Sequence, residues 1–327
     1  MSLLLEMKNL KTHFFRKKQV IPAVDGVDLV IQKGETLALV GESGSGKSIT
    51  SLSIMRLVPS PGGKIVSGEI LFDGKNLINL TENEMCRVRG NDISMIFQEP
   101  MTSLNPVMTI GEQLTETLIY HQKLTKNEAR IKAKELLQLV GFSRAEQMLK
   151  NYPHHLSGGM RQRVMIAIAM SCNPKLLIAD EPTTALDVTI QAQILQLMKE
   201  LSKKFDTSIL LITHDLGVVS EIADRVVVMY GGQVVEEVSV DELFDKPLHP
   251  YTRGLMNSVP SMEENSRRLQ TIEGNVPAPE NMPKGCRFAP RCKDAFGWCH
   301  QEMPDLKHVS KDRSVRCFLY EEMEGRK

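Results

Sequence analysis

Apolar positions along the chain change period several times, and each change marks an element. Residues 23 to 40, AVDGVDLVIQKGETLALV, alternate apolar with polar and then turn apolar, which predicts strands. Gly41 opens a glycine-rich loop into SITSLSIMRLV, so this stretch reads strand, loop, helix. Residues 107 to 150 contain KNEARIKAKELLQLVGF and other segments with helical spacing, predicting a mainly helical insert. From residue 175 the order is KLLIADEP, TIQAQILQLMKELSKKF and TSILLITHD: buried strand, amphipathic helix, buried strand. Alternation of this kind predicts an α/β core with a mostly parallel sheet. In VVVMYGGQVVEE, Gly231 and Gly232 separate two strand-like runs and predict a hairpin with a two-residue turn. Regular structure then thins out. Residues 261 to 284, SMEENSRRLQTIEGNVPAPENMPK, read as a linker into a tail carrying Cys286, Cys292, Cys299 and Cys317.

Composition narrows the classes. A chain of 327 residues can bury a substantial core, and 40 basic against 40 acidic residues leave a net charge of +0. No global field then draws it to nucleic acid or anionic lipid. No stretch supplies the roughly 18 apolar residues of a membrane span, so the expected place is the cytoplasm, with membrane contact through a partner. In a reducing compartment, clustered cysteines favour metal ligation over disulfides.

The strongest chemical signal is GESGSGKS at residues 41 to 48, which fits G-x-x-x-x-G-K-[ST]. Gly41, Gly44 and Gly46 let the backbone curl so that amide groups face phosphate oxygens at a helix N-terminus. Lys47 supplies charge to the β- and γ-phosphates, and Ser48 offers an oxygen to Mg²⁺. A second signal is LLIADE at 176 to 181, an apolar strand ending in two carboxylates. Charge there is costly unless a cation or a reaction uses it. Asp180 suits the Mg²⁺ shell and Glu181 the attacking water. A third is HHLSGGMRQRVMIAIAMS, in which Ser157, Gly158 and Gly159 precede an apolar helix and form another capped, anion-attracting helix tip.

With these motifs the chain resembles the ATP-binding subunit of an ABC transporter over roughly residues 3 to 260. Phe14 matches the aromatic that stacks on adenine, GESGSGKS the Walker A loop, and Gln98 in FQEP the Q-loop glutamine. LSGGM at 156 to 160 matches the signature LSGGQ, ADE the end of Walker B, ALD at 185 to 187 the D-loop, and His214 in ITHD the switch histidine. Met160 departs from the usual glutamine. The resemblance implies a P-loop NTPase α/β fold with an antiparallel β subdomain, a helical subdomain at about 100 to 170, and a C-terminal Cys-cluster extension at 261 to 327. It implies ATP and Mg²⁺ as cofactors, with Glu181, His214 and Gln98 catalytic and Ser48, Gln98 and Asp180 around Mg²⁺. Nucleotide contacts fall on Phe14, Gly41, Ser43, Gly44, Ser45, Gly46, Lys47, Ser48, Ile49, Ser157, Gly158, Gly159 and Asp187. The signature is expected to face ATP held by the Walker A loop of a second ATPase subunit, so that two chains sandwich two nucleotides.

The tail narrows the family. PLHPYTRGLMNSVP followed by GCRFAPRC is similar to the C-terminal extension of ATPases serving dipeptide and oligopeptide importers, whose relatives include nickel importers. The expected partners are a homologous second ATPase, two transmembrane permease subunits and, indirectly, an extracytoplasmic peptide-binding protein; the expected place is the cytoplasmic face of the membrane. The cysteine spacing, C-x5-C-x6-C-x17-C, lacks the tight knuckles of structural zinc and suits a [4Fe–4S] cluster, with Zn²⁺ or uncoordinated cysteines as the other readings. Arg287, Arg291, Lys293 and Arg316 lie beside the cysteines and are expected to offset thiolate charge. Rival functions are a nickel importer ATPase and an ABC-type ATPase outside transport.

Overall fold

The computed structural model describes residues 2–16, 19–98, 103–184, 186–258, 271–278, 281–310 and 312–321. Residues 261–270 of the expected linker, Glu99 and Pro100 of FQEP, and Ala185 of ALD lie outside the described residues. Its strands, in chain order, are β1 (Leu3–Arg16), β2 (Gln19–Gln32), β3 (Thr36–Val40), β4 (Gly63–Phe72), β5 (Lys75–Asn76) and β6 (Ile93–Ile96). They continue with β7 (Leu176–Asp180), β8 (Ser208–Thr213), β9 (Arg225–Tyr230), β10 (Gln233–Ser239), β11 (Lys307–Ser310) and β12 (Arg313–Val315). The chain divides into two compact units.

The first unit comprises Met1–Leu4, Ile31–Thr36 and Asn76–Ile212. Here β6, β7 and β8 pair in parallel, with Ile178 opposite Met95 on one side and Leu210 on the other. Every residue of β7 and β8 is buried, which is why LLIA and SILLIT read as unbroken apolar runs rather than alternating ones. The helical insert holds Ile110–Gln122, Lys126–Leu139 and Gly158–Met170. The first two start at Thr109 and Thr125, each in a reciprocal capping box with the glutamate three residues on. Gly158–Met170 buries Val164, Met165, Ile166, Ala167, Ala169 and Met170, so it is apolar nearly all round because it is enclosed nearly all round.

The second unit comprises Leu5–Val30, Leu37–Lys75 and Thr213–Lys327. Its antiparallel sheet places β1 between β2 and β4, with Leu5 opposite Phe72 and Phe14 opposite Gly63. A second set of strands runs β11, β12, β10, β9, β3. The β3–β9 pair is parallel, as are β6–β7 and β7–β8, so the alternating core strands pair as expected; β9–β10, β10–β12 and β11–β12 are antiparallel and make the sheet mixed. The hairpin turn is Gly231–Gly232, with φ of 54° and 84°, the doubly positive pair of a type I′ turn.

Beyond the hairpin, structure does not thin out as much as the pattern suggests. Helices Val240–Asp245 and Pro250–Asn257 follow, and the tail returns to pair Val315 with Glu236. These pieces are too short for periodicity to register. Phe288 of the tail packs in one core with Val40, Val228, Tyr230, Val235 and Tyr251. Glu236, fully buried, holds this junction: Arg313 pairs with its carboxylate at 2.7 Å, and the amides of Leu248 and His249 each donate to it at 2.9 Å. A buried carboxylate persists only when satisfied in this way.

Candidate functional site

The phosphate loop leaves β3 and enters the helix Lys47–Ile54 through Gly46, at φ 101°. A Cβ on Gly46 would stand 2.6 Å from the Ala23 carbonyl oxygen, and one on Gly41 2.2 Å from that of Met229. Both glycines are therefore required by neighbouring backbone as well as by loop curvature. Gly232 N–H donates to the Ser45 carbonyl at 2.8 Å, fastening the loop to the hairpin turn. Lys47 is 6% exposed, and its ammonium donates to the carbonyls of Gly41 at 2.6 Å and Glu42 at 3.0 Å and to Ser45 Oγ at 3.3 Å. Its charge is thus held against the loop by two of the loop's own carbonyls and a hydroxyl. Ser48 and Ile49 continue onto the helix, and Ser43 is exposed on the loop.

Phe14, near the end of β1, is half-buried, whereas its neighbour Phe15 is exposed. His214 follows the buried strand β8 and is itself exposed, so it is not a core histidine. The next residue, Asp215, caps the helix Leu216–Ile222, its Oδ1 accepting from the amides of Gly217 and Val218.

In the first unit, Asp180 is the last residue of β7 and 5% exposed. Glu181 has a left-handed backbone, φ 48°, with its amide donating to the Ile212 carbonyl at 2.8 Å. A non-glycine residue in that conformation is uncommon and costs of order 1 kcal/mol or more. It turns the carboxylate away from the strand direction toward Gln98, whose Nε2 donates to Glu181 Oε2 at 2.8 Å, while Thr184 Oγ1 donates to the same oxygen at 3.0 Å. The structure thus joins two of the expected catalytic residues and adds Thr184, which the motif reading passed over.

Ser157 caps Gly158–Met170 by accepting the Met160 amide at 3.4 Å, and it is exposed. Gly159 lies against Ile190, where a Cβ would come within 2.8 Å of the side chain. Asp187 is the cap of the next helix, Val188–Phe205, its Oδ1 accepting from Ile190 N–H at 3.0 Å.

All six cysteines are free, and Cys286, Cys292, Cys299 and Cys317 line one small cavity with Phe288, Ala289, Phe318 and His249. Burial pushes the thiols of Cys286, Cys292 and Cys317 up, Cys292 to about 11 and Cys317 to about 12, with neighbouring cysteines among the lesser causes. Only a cation would make thiolates favourable here. Among the described residues no three His, Cys, Asp or Glu side chains stand close enough for one shared ion. Tetrahedral zinc needs its sulfurs about 3.8 Å apart, as Zn–S bonds near 2.3 Å dictate, whereas a cluster spreads its thiolates over separate irons.

The basic residues beside the cysteines do not act as a set. Burial raises the Cys286 thiol, and Arg316 offsets this only slightly, its own bonds going to the Val234 and Pro304 carbonyls. Arg287 pairs with Asp25, Lys293 with Glu273, and Arg291 with Glu42 of the phosphate loop. Expectation of a common role in offsetting thiolate charge is corrected: carboxylates elsewhere compete for three of the four.

Comparison with known proteins shows which family the chain is similar to. Residues 24–184 match the family model described as ABC transporter, and residues 235–299 match that described as oligopeptide/dipeptide transporter, C-terminal region. The chain is 69% identical over 322 residues to the oligopeptide transport ATP-binding protein AppD of Bacillus subtilis, covering 98% of each. It is 49% identical to the dipeptide transport ATP-binding protein DppD of the same organism, covering 98% of this chain and 96% of that one. Among solved structures, the ATP-binding cassette MJ0796, in a dimeric post-hydrolysis state bound to ADP and Pi, is 30% identical with a TM-score of 0.65. That match covers 72% of this chain and 99% of the other.

Proposed function

This chain belongs to the ATP-binding proteins of oligopeptide/dipeptide ABC transporters, and from that membership we propose that it hydrolyses ATP to drive di- or oligopeptide import, seated at the cytoplasmic face of a membrane complex. No helix among its described residues is long and apolar enough to cross a membrane; on the importer likeness, the membrane pathway is assigned to two permease subunits. The observation that carries the reading is the AppD likeness running through both the phosphate loop and the C-terminal region.

The reaction is attack of water on the γ-phosphate, with catalysis by positioning and charge. Lys47 and the phosphate-loop amides other than that of Glu42, which Tyr251 holds, take the phosphates, and Phe14 takes the adenine. Ser48, Asp180 and Gln98 would hold Mg²⁺, which would supply positive charge to the phosphates. Glu181 orients and deprotonates the water; its bonds from Gln98 and Thr184 restrict the carboxylate to one orientation before substrate arrives. His214 senses the γ-phosphate. The exposed tip at Ser157, Gly158 and Gly159 faces ATP held by a second, homologous ATPase subunit, with Asp187 at that junction. Met160 leaves the capped helix start intact while removing an amide side chain from it.

The cysteine cavity is assigned to a [4Fe–4S] cluster held by Cys286, Cys292, Cys299 and Cys317, with Zn²⁺ as the alternative. Iron and acid-labile sulfide with visible absorption in anaerobically purified protein support the cluster; colourless, iron-free protein rules it out. Function is tested by purifying the chain with its permeases and measuring ATPase stimulation by a peptide-loaded binding protein. Stimulation by a nickel-loaded one instead would move the substrate to nickel, and no stimulation by either would remove transport.

A further inference from the structure

The segment from Cys286 to Cys292 has two sides. One lines the cysteine cavity, to which Cys286, Phe288, Ala289 and Cys292 contribute. The other reaches the phosphate loop. Arg291 gives both arms to Glu42, Nη1 to Oε2 at 2.6 Å and Nη2 to Oε1 at 3.1 Å. Its side chain is 5% exposed and that of Glu42 30%, so this is a largely enclosed, two-armed pair rather than a surface one. The guanidinium also lies 5.8 Å from the centroid of the Tyr230 ring.

Glu42 is held on its main chain as well. Its amide donates to Tyr251 Oη at 2.8 Å, and its carbonyl accepts from Lys47 Nζ at 3.0 Å. Tyr230, Tyr251 and Phe288 stack edgewise or tilted within 5.4 Å of one another, so the same tail segment supports both ends of this contact. Arg287 makes a second grip: it bonds the Gly231 carbonyl and Asp25, and the adjoining Gly232 amide carries the Ser45 carbonyl of the phosphate loop. Two arginines flanking cysteines therefore brace the loop, one through its second residue and one through the hairpin turn.

We propose that Arg291 is a positioning residue for nucleotide binding, holding the phosphate loop through Glu42 so that the cysteine-bearing lobe is a latch on ATP affinity. The inference rests on the reading of Gly41 to Ser48 as an ATP site and adds a determinant outside the ABC motifs. A loop fixed before ATP arrives binds more tightly than one ordered on binding, and each bond to a charged partner that orders it counts.

The test is fluorescent-ATP titration and ATPase kinetics on the full chain, with amide hydrogen exchange of residues 41 to 48. Arg291→Ala is expected to raise the ATP Kd about tenfold, with kcat at saturating ATP within about twofold. Arg291→Lys, which keeps the charge but not the fork, falls between it and the unaltered protein. Glu42→Ala matches Arg291→Ala, the double variant is no worse than either single one, and loop amides exchange faster in all three. If the Arg291 variants show a lower melting temperature but unchanged Kd and loop exchange, the residue is merely structural and the latch is refuted. If Glu42→Ala and Arg291→Ala weaken binding multiplicatively, the coupling is absent. Failure of the unaltered chain to bind ATP would instead overturn the ATP-site reading, and the latch with it.

Discussion

Gln98 Nε2 lies 2.8 Å from Glu181 Oε2, joining residues 83 apart in sequence. The bond meets a residue already held at φ 48° by its own amide, which donates to Ile212 O. A carboxylate oriented by both backbone and side-chain partners is arranged for one task. Glu181→Gln preserves the shape and removes the base, so kcat is expected to fall by at least about 10² while the ATP Kd stays within a few-fold. Phosphate release and fluorescent-nucleotide binding measure the two. Turnover within tenfold of the unaltered protein would remove Glu181 from the role of base.

Ser157 serves as a cap within its own chain and is assigned a phosphate contact toward another. Removing the hydroxyl in Ser157→Ala costs about 1 kcal/mol of stability through the lost cap. Ser157→Arg adds bulk at the exposed tip. It is expected to abolish ATPase activity of the assembled transporter while ATP binding by the isolated chain persists. Retained activity in the assembly would place this tip away from the nucleotide.

His249 caps the helix Pro250–Asn257, accepting from the Tyr251 amide at 3.0 Å. Burial depresses its pKa from 6.5 to about 3, and the nearby Arg253 charge adds to this. Between those values the unfolded chain binds a proton that the folded chain refuses, so stability is lost as pH falls from about 6.5 toward 3. Denaturant midpoints at pH 7 and pH 4.5 should differ by less in His249→Gln than in the unaltered chain. An identical pH response in both would dismiss His249 as a source of acid lability.

The cysteines predict the opposite limb. Cys292 and Cys317 are raised from 9.0 to about 11 and about 12, chiefly by burial and less by Cys286 and Cys299. For metal-free protein, stability present below about pH 9 is therefore lost as pH rises through those values. Protein carrying a cluster already holds thiolates and should not show this alkaline loss. Urea midpoints at pH 8 and 10.5, measured before and after iron removal, compare the two. Equal alkaline sensitivity with and without iron would show that these thiols do not ligate it.

Much of this was legible because it is local. GESGSGKS announces its loop through residues whose backbone freedom and charge act within eight positions. Thr109 with Glu112 and Thr125 with Glu128 state their helix starts within four. The pairing of Gly231 and Gly232 names a turn, and the unbroken apolar runs of β7 and β8 name buried strands.

The sequence by itself determined the phosphate loop, the acidic strand end, the signature tip and the gathering of cysteines near one terminus, since each is a short pattern whose chemistry is intrinsic to its residues. Only the tertiary structure decided that Arg291 serves Glu42, 249 positions away, and that Phe288 belongs to the core of Val40. The reason is that a guanidinium has several possible carboxylate and thiolate partners within one chain. Which it meets depends on the packing of Tyr230, Tyr251 and Phe288 around it, and no run of neighbouring residues encodes that.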